Sequence, residues 1–518
     1  MYLTQGLRRA VQQTPGATAS VFQGRRRTFA ELGARVARLG GLLRGLGLQP
    51  GDRVGMLSLN SDWYLEYYPG VYWAGGAVNP INTRWSPAEI AFSLEDCQTG
   101  ILLVDDHHAA LVPELRRRCP GLHTVVHVGD GPAPEGMLGY EALLARAEPV
   151  ADALRGGEDL AGVFYTGGTT GSPKGVMLPH RGLYSNAVGV VAEGAVQHCC
   201  IGLHTAPMFH LADGCFMNAM FASGGTHVIV PRFDPVMVLQ TIQDEGVTEA
   251  LLVPTMIQML VDHPDLGRYE LGSLRNMLYG ASPISEGLLD RAMRAIPAAG
   301  FTQLYGMTEL SPMATVLSQD MHREAGRRKG RHRSAGRAAI GCEVRVVDAM
   351  GNEVARGEVG EVAVRGPGVM LGYWNKPAET AAALRDGWMF TGDGGRMDED
   401  GYLFIVDRIK DMIVTGGENV YSVEVESAVA AHPAVASCAV IGVPNDQWGE
   451  LVHAFIVRKP GASVDEAAIV AHCKERIAGY KCPRQVSFID AMPLSGAGKI
   501  LKTQLRAPFW EGRDRKVA

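Results

Sequence analysis

No stretch of this 518-residue chain reaches the roughly 18 consecutive apolar residues that a membrane-crossing helix needs, so none is expected. The start, Met1-Tyr2-Leu3-Thr4-Gln5-Gly6-Leu7-Arg8-Arg9, lacks the apolar core of a secretion signal. Paired cysteines are missing too. The nine present are odd in number, scattered and without a Cys-x-x-Cys spacing, which argues against a disulfide framework or a zinc site and for a reducing, cytoplasmic setting. Basic excess is absent: 49 Lys and Arg face 55 Asp and Glu, a net charge of −6, so binding through nucleic-acid phosphates is disfavoured. What is present is 46% apolar and 20% charged residues, ordinary for a globular protein, at a length that implies several domains. A multidomain cytoplasmic enzyme is the expectation.

Along the chain, Thr28 and Glu31 have capping-box spacing, and Phe29, Leu32, Val36, Leu39 and Leu43 then share one helical face until Gly47 and Pro50. Short apolar runs at 54–57, 100–104, 124–128, 227–230 and 250–253 read as buried strands, with helical patterns such as 237–245 between several of them. The fold class expected is α/β: a large N-terminal domain of helix-covered sheets, residues 1–409. It includes a small β-subdomain over about 335–409, where 343–347 and 361–364 alternate like antiparallel strands. Residues 410–518 form a smaller α+β domain, with strands near 439–442, 454–457 and 485–488 and a helix over about 464–477.

The strongest local signal is Thr166-Gly167-Gly168-Thr169-Thr170-Gly171-Ser172-Pro173-Lys174-Gly175. Glycines free the backbone to turn its amides toward an anion, hydroxyls add donors, and Lys174 adds charge where phosphate charge gathers. It is not a Walker A loop, since Lys174 lies between Pro and Gly. Strand-like flanks at 161–164 and 176–178 place it at a hairpin tip. A plain Ser/Thr/Gly linker is the competing reading of the loop alone.

Further motifs stand with it: Gln303-Leu304-Tyr305-Gly306-Met307-Thr308-Glu309, Thr391-Gly392-Asp393, Asp407-Arg408-Ile409-Lys410-Asp411, Gly416-Gly417-Glu418-Asn419, and Lys499 in a Gly-rich loop after Pro493. The set and its order resemble the adenylate-forming superfamily of acyl-CoA synthetases, peptide-synthetase adenylation domains and beetle luciferases. With Pro207-Met208-Phe209-His210 and Asn375-Lys376-Pro377, the chain looks most like bacterial fatty-acyl-CoA ligases.

That resemblance implies two steps: a carboxylate attacks the α-phosphorus of MgATP, giving acyl-AMP and pyrophosphate, and the CoA thiol then displaces AMP. A carboxylic acid is already ionised at neutral pH, so positioning and charge relief, not a general base, are what the first step needs. By resemblance, Thr166 to Lys174 would cradle the outer phosphates, Thr308 the α-phosphate, and Glu309 Mg²⁺. Tyr305, with Gly306 and Met307, would lie on adenine beside Gly280-Ala281-Ser282, and Asp393 and Arg408 would hold the ribose, although Arg408 could instead pair with Asp407. Lys499 would bridge the acid and the α-phosphate, Lys410 would be the hinge of a rotating C-terminal domain, and Gly416 and Gly417 would pass the pantetheine arm.

The acid pocket is expected to involve His210, Met217 and Gly280, with Asp213 its one carboxylate apart from Glu309. His210 stands where amino-acid-selecting adenylation domains commonly carry Asp, which argues against an amino-acid substrate; a hydrogen-bonded core histidine is the alternative. Small and flexible apolar residues there favour a medium- or long-chain fatty acid. An aryl-CoA ligase is the main alternative, and a carrier-protein-loading enzyme a weaker one. The basic run 323–337 reads as a solvated loop that leaves room for contact with anionic lipid, and a homodimer is compatible with all of this.

Overall fold

A computed structural model describes residues 1–166, 173–416, 418–496 and 498–511. Two large twisted sheets form its body. One has nine strands, in the order Arg337–Ala338, Met313–Leu317, Gly300–Gly306, Asn276–Gly280, Glu249–Leu252, Ile201–His204, Thr226–Ile229, Thr18–Phe22 and Arg25–Thr28. The other has eight, in the order Gly372–Tyr373, Lys174–Pro179, Leu160–Thr166, Ala77–Pro80, Arg53–Leu57, Ile101–Asp105, Thr124–Val128 and Leu138–Gly139. The inner strands of both run parallel, both edges of the nine-stranded sheet and the Gly372–Tyr373 edge of the eight-stranded one are antiparallel, and its Leu138–Gly139 edge is parallel.

Side-chain alternation explains the layering. On the eight-stranded sheet Val54, Met56 and Leu103 face a core shared with the helices Phe29–Gly45 and Asp62–Ala74, while Leu57, Leu102 and Val104 face the helices Pro87–Asp96 and Val112–Arg118. The nine-stranded sheet covers its other face with the helices Pro235–Glu245, Pro254–Val261 and Glu286–Ala295. Thr28 and Glu31 make the capping box that their spacing predicts. Asp62–Ala74, which reads in sequence only as aromatic-rich, is a helix despite Pro69, capped by the Ser61 hydroxyl and ended by left-handed Gly75.

A third, antiparallel sheet joins Glu343–Val347, Gly360–Arg365, Trp388–Met397, Leu384–Arg385 and Leu403–Arg408. Two short strands within the expected span 335–409 belong to other sheets. Arg337–Ala338 extends the nine-stranded sheet, and Gly372–Tyr373 pairs with Val176 and Met177 of the eight-stranded one. A two-residue edge strand has no periodicity from which its sheet could be read.

Beyond residue 410 a fourth sheet (Glu418–Val420, Ile413–Thr415, Gly449–Arg458, Val435–Asn445, Gln485–Phe488) packs its own core with the helices Ser422–Ala430 and Glu466–Lys474. Asp407, before residue 410, accepts hydrogen bonds from the backbone N–H groups of Arg408 (2.8 Å) and Ser422, the latter at the first turn of Ser422–Ala430. Nearby, Lys502 pairs with Glu426 at 2.7 Å and Arg506 with Asp411 at 2.9 Å.

Candidate active site

Several loops meet where the last unit touches the body. Leu494 and Ile500 bridge antiparallel, Ser495 N–H donates to the Lys499 carbonyl (2.7 Å), and Gly498 takes a left-handed φ of +77°, so residues 494–496 and 498–500 lie side by side as the arms of a tight turn. Its seat is close. A Cβ on Gly496 would lie 2.5 Å from the Asn82 side chain, and one on Gly498 3.2 Å from the Thr255 hydroxyl. Arg84 donates to the Ser495 carbonyl at 3.1 Å, and Gln258 to that of Ala436 at 3.0 Å.

This turn brings Lys499 within electrostatic reach of Arg408, Asp393, Glu309 and His210. Burial, then the Arg408 guanidinium, pulls the Lys499 ammonium down to about 8, against the opposing pull of Asp393 and Glu309. Asp393 and Arg408 face each other across neighbouring strands and pair at 3.4 Å. Arg408 therefore pairs with Asp393 and not with Asp407, whose carboxylate is occupied by backbone amides. The Tyr305 hydroxyl donates to Asp393 at 2.8 Å. Tyr305, Gly306, Met307 and Thr308 are all half-buried at the end of the strand Gly300–Gly306, beside half-buried Ala281 and Ser282. Gly280 pairs with Leu304 on the adjacent strand, and a side chain there would strike the Leu304 carbonyl.

Glu309 is buried, and burial raises its carboxyl above the usual range. It accepts a hydrogen bond from the Tyr373 hydroxyl at 2.8 Å, and the Lys174 ammonium lies 5.2 Å from the centroid of the Tyr373 ring. Tyr373, absent from the sequence reading, is thus the link between two groups that reading did select. Its only signal was the neighbouring Asn375-Lys376-Pro377. Thr166 ends one strand and pairs in register with Lys174, as a hairpin requires. Gly167, Gly168, Thr169, Thr170, Gly171, Ser172 and Gly417 lie outside the described residues.

His210 caps the helix Leu211–Ser223, its Nδ1 accepting from the Ala212 N–H at 3.2 Å. An accepting Nδ1 puts the ring proton on Nε2. Burial, and then Lys499, pushes this imidazole down to about 3, so it stays neutral. Two residues expected at the pocket are enclosed. Met217 has no exposed surface and belongs to the core between the sheets. Asp213 is fully buried and bonded to His204 Nδ1 at 2.9 Å, whose Nε2 meets His227 Nδ1 at 2.9 Å, so it faces the protein interior. Gly416 lies on the C-terminal unit against Trp448. Lys410, pulled down to about 8 by burial and Arg408, sits between the third and fourth sheets.

The basic run is tied down: Arg327 to Asp290, Arg328 to Glu324, Arg331 to Asp400, and His332 and Arg333 to Glu286, the last two at 2.8 Å. Among the described residues, no helix is long and apolar enough to cross a membrane, and no group of three or more His, Cys, Asp or Glu is placed to hold a metal. Glu309 alone fits Mg²⁺ in the way that cation is usually held, by one or two protein carboxylates with phosphate and water supplying the rest. A cation would also relieve the cost of burying its charge.

Residues 7–374 match the AMP-binding enzyme family, and residues 424–499 its C-terminal domain. The chain is 39% identical over 502 residues to a feruloyl-CoA synthase of Amycolatopsis sp, covering 97% of this chain and 98% of that one. It is 36% identical to the medium/long-chain-fatty-acid–CoA ligase FadD8 of Mycobacterium tuberculosis, over 95% of this chain and 87% of that one. Among solved structures, the anthranilate CoA ligase AuaEII in complex with anthranoyl-AMP superposes with a TM-score of 0.92 at 29% identity, covering 99% and 98% of the two chains.

Proposed function

The chain belongs to the AMP-binding enzymes, adenylate-forming ligases of the acid–thiol type, and we propose that it joins an aryl-type carboxylic acid to CoA through an acyl-AMP. The observation that carries this reading is the seat of Lys499: a turn from the C-terminal unit sets one ammonium beside Glu309, Asp393 and His210. In the first step the ionised acid approaches a polyanion, and Lys499 offsets charge between the carboxylate and the α-phosphate. Lys174 holds the outer phosphates, Thr308 the α-phosphate, and Asp393 the ribose hydroxyls. Tyr305, fixed through its hydroxyl, offers its ring to adenine. His210, neutral and protonated at Nε2, donates to the acid. Mg²⁺ held at Glu309 would neutralise phosphate charge. For the second step the C-terminal unit turns about Lys410 and withdraws Lys499, and Gly416 and Gly417 leave a passage for pantetheine.

The acid itself follows from what the 211–223 helix does. Met217, expected in the acid pocket, and its helix neighbours Ala219 and Met220 are closed core with no exposed surface. That supports a short, broad apolar acid over a chain threaded between the sheets, in keeping with the likeness to a feruloyl-CoA synthase. A medium- or long-chain fatty acid is the second reading, favoured by the likeness to FadD8. A panel of cinnamates, benzoates and straight-chain acids, scored by AMP release with and without CoA, tests both. Substituted cinnamates or benzoates should turn over fastest. Rates that climb with alkyl length and surpass every aryl acid would move the assignment to fatty acids, and CoA-independent product would remove the ligase reading.

A further inference from the structure

Resting on the reading that Lys174 meets ATP phosphates, the place of that lysine is set from a distance. Asp96 ends the helix Pro87–Asp96 and holds three groups. Its Oδ2 accepts from the Tyr165 hydroxyl at 2.6 Å, its carbonyl from Trp374 Nε1 at 2.6 Å, and its Oδ1 and carbonyl from the Asn375 amide at 3.3 Å each. Tyr165 and Trp374 belong to opposite neighbours of one strand. Tyr165 pairs in register with Gly175, and Trp374 N–H donates to the Gly175 carbonyl at 2.7 Å. Gly175 leaves no slack, because a Cβ there would lie 2.9 Å from the Tyr165 ring and 2.8 Å from Val163. The residue before Gly175 is Lys174, and the residue before Trp374 is Tyr373, whose ring carries the Lys174 ammonium and whose hydroxyl holds Glu309.

We propose that Asp96 is a positioning residue for the ATP half-reaction: by fixing Tyr165 and Trp374 on either side of Gly175, it sets Lys174 and Tyr373 against Glu309. Asp96 touches none of the residues assigned to substrates, so it acts only through this frame. The side-chain arm can be cut without touching the backbone arm, since Trp374 is bound to the Asp96 carbonyl.

The test uses the full chain with Tyr165→Phe, Asp96→Asn and the double variant. Measured are ATP affinity by calorimetry, the KM for ATP and for the acid in acid-dependent pyrophosphate exchange, and consumption of preformed acyl-AMP by CoA. Tyr165→Phe deletes one hydroxyl and keeps the ring over Gly175, so it keeps the question answerable if Asp96→Asn folds poorly. Loss of a charge-assisted hydrogen bond in this frame should weaken ATP about tenfold, in Kd and in KM alike. The double variant should be no worse than the poorer single one. The KM for the acid and the use of preformed acyl-AMP should stay within twofold of native. Unchanged ATP affinity in Tyr165→Phe overturns the proposal, as does an equal loss in the acyl-AMP step. If no acid supports exchange yet ATP affinity falls as stated, the functional reading fails and the positioning role stands.

Discussion

Lys499 and His210 are two half-buried bases that the site drives in the same direction for different uses. His210, held near 3, contributes no titration between pH 5 and 8. Lys499, held near 8, does. Its protonated form is the one that offsets charge, so activity is present below its folded pKa and lost as pH rises through it. The kcat/KM for acyl-AMP formation should therefore be level from pH 6 to about 7.5 and fall on a basic limb near 8. Lys499→Arg should remove that limb at a lower rate, since guanidinium stays charged. A limb that persists in the Arg variant would assign it to another group. Lys499→Ala should slow acyl-AMP formation about 10²–10³-fold, the worth of one preorganised electrostatic donor, and spare thioester formation from preformed acyl-AMP. An equal loss in both half-reactions would reject the assigned role.

At the level of elements, helix caps, strands and the hairpin flanking the phosphate loop were legible because their signals are local. Thr28 and Glu31 are three residues apart, and Thr166 and Lys174 bracket one loop. Asp96 was not legible: its partners Tyr165 and Trp374 lie 69 and 278 residues away, and no period links them. Likewise Met217 and Asp213 looked like pocket residues because a helix apolar on every side gives no sign of which face is open. The Asp407 hydrogen bond to the Ser422 N–H belongs to the same illegible class, and it carries a prediction. Asp407 precedes the assigned hinge and Ser422 follows it, so their hydrogen bond cannot survive a rotation about Lys410. Asp407→Ala should slow acyl-AMP formation roughly tenfold to a hundredfold, as expected for a hydrogen bond to a charged group. CoA transfer from preformed acyl-AMP should hold or rise in single-turnover measurements. A parallel fall in both would show that Asp407 serves stability alone.

For the whole molecule, the proposed mechanism uses two arrangements of one chain, one of them with Lys499 near Glu309 and Asp393 as it lies here. Lys410→Pro fixes φ where rotation is assigned. Acyl-AMP should still form and accumulate on the enzyme while thioester synthesis falls at least tenfold; undiminished thioester output would place the hinge elsewhere. On the proposed mechanism, the seat of residues 494–496 and 498–500 against Asn82, Arg84 and Thr255 would also cover a mixed anhydride that water destroys. How long such a cover stayed down would depend partly on the Asp407–Ser422 hydrogen bond. An enzyme with a firmer fastening would spill less adenylate but wait longer for each CoA, and a looser one would be faster and more wasteful. On this mechanism, losses to hydrolysis would be open to adjustment by a single carboxylate bound to backbone amides and not assigned to acid, nucleotide or thiol.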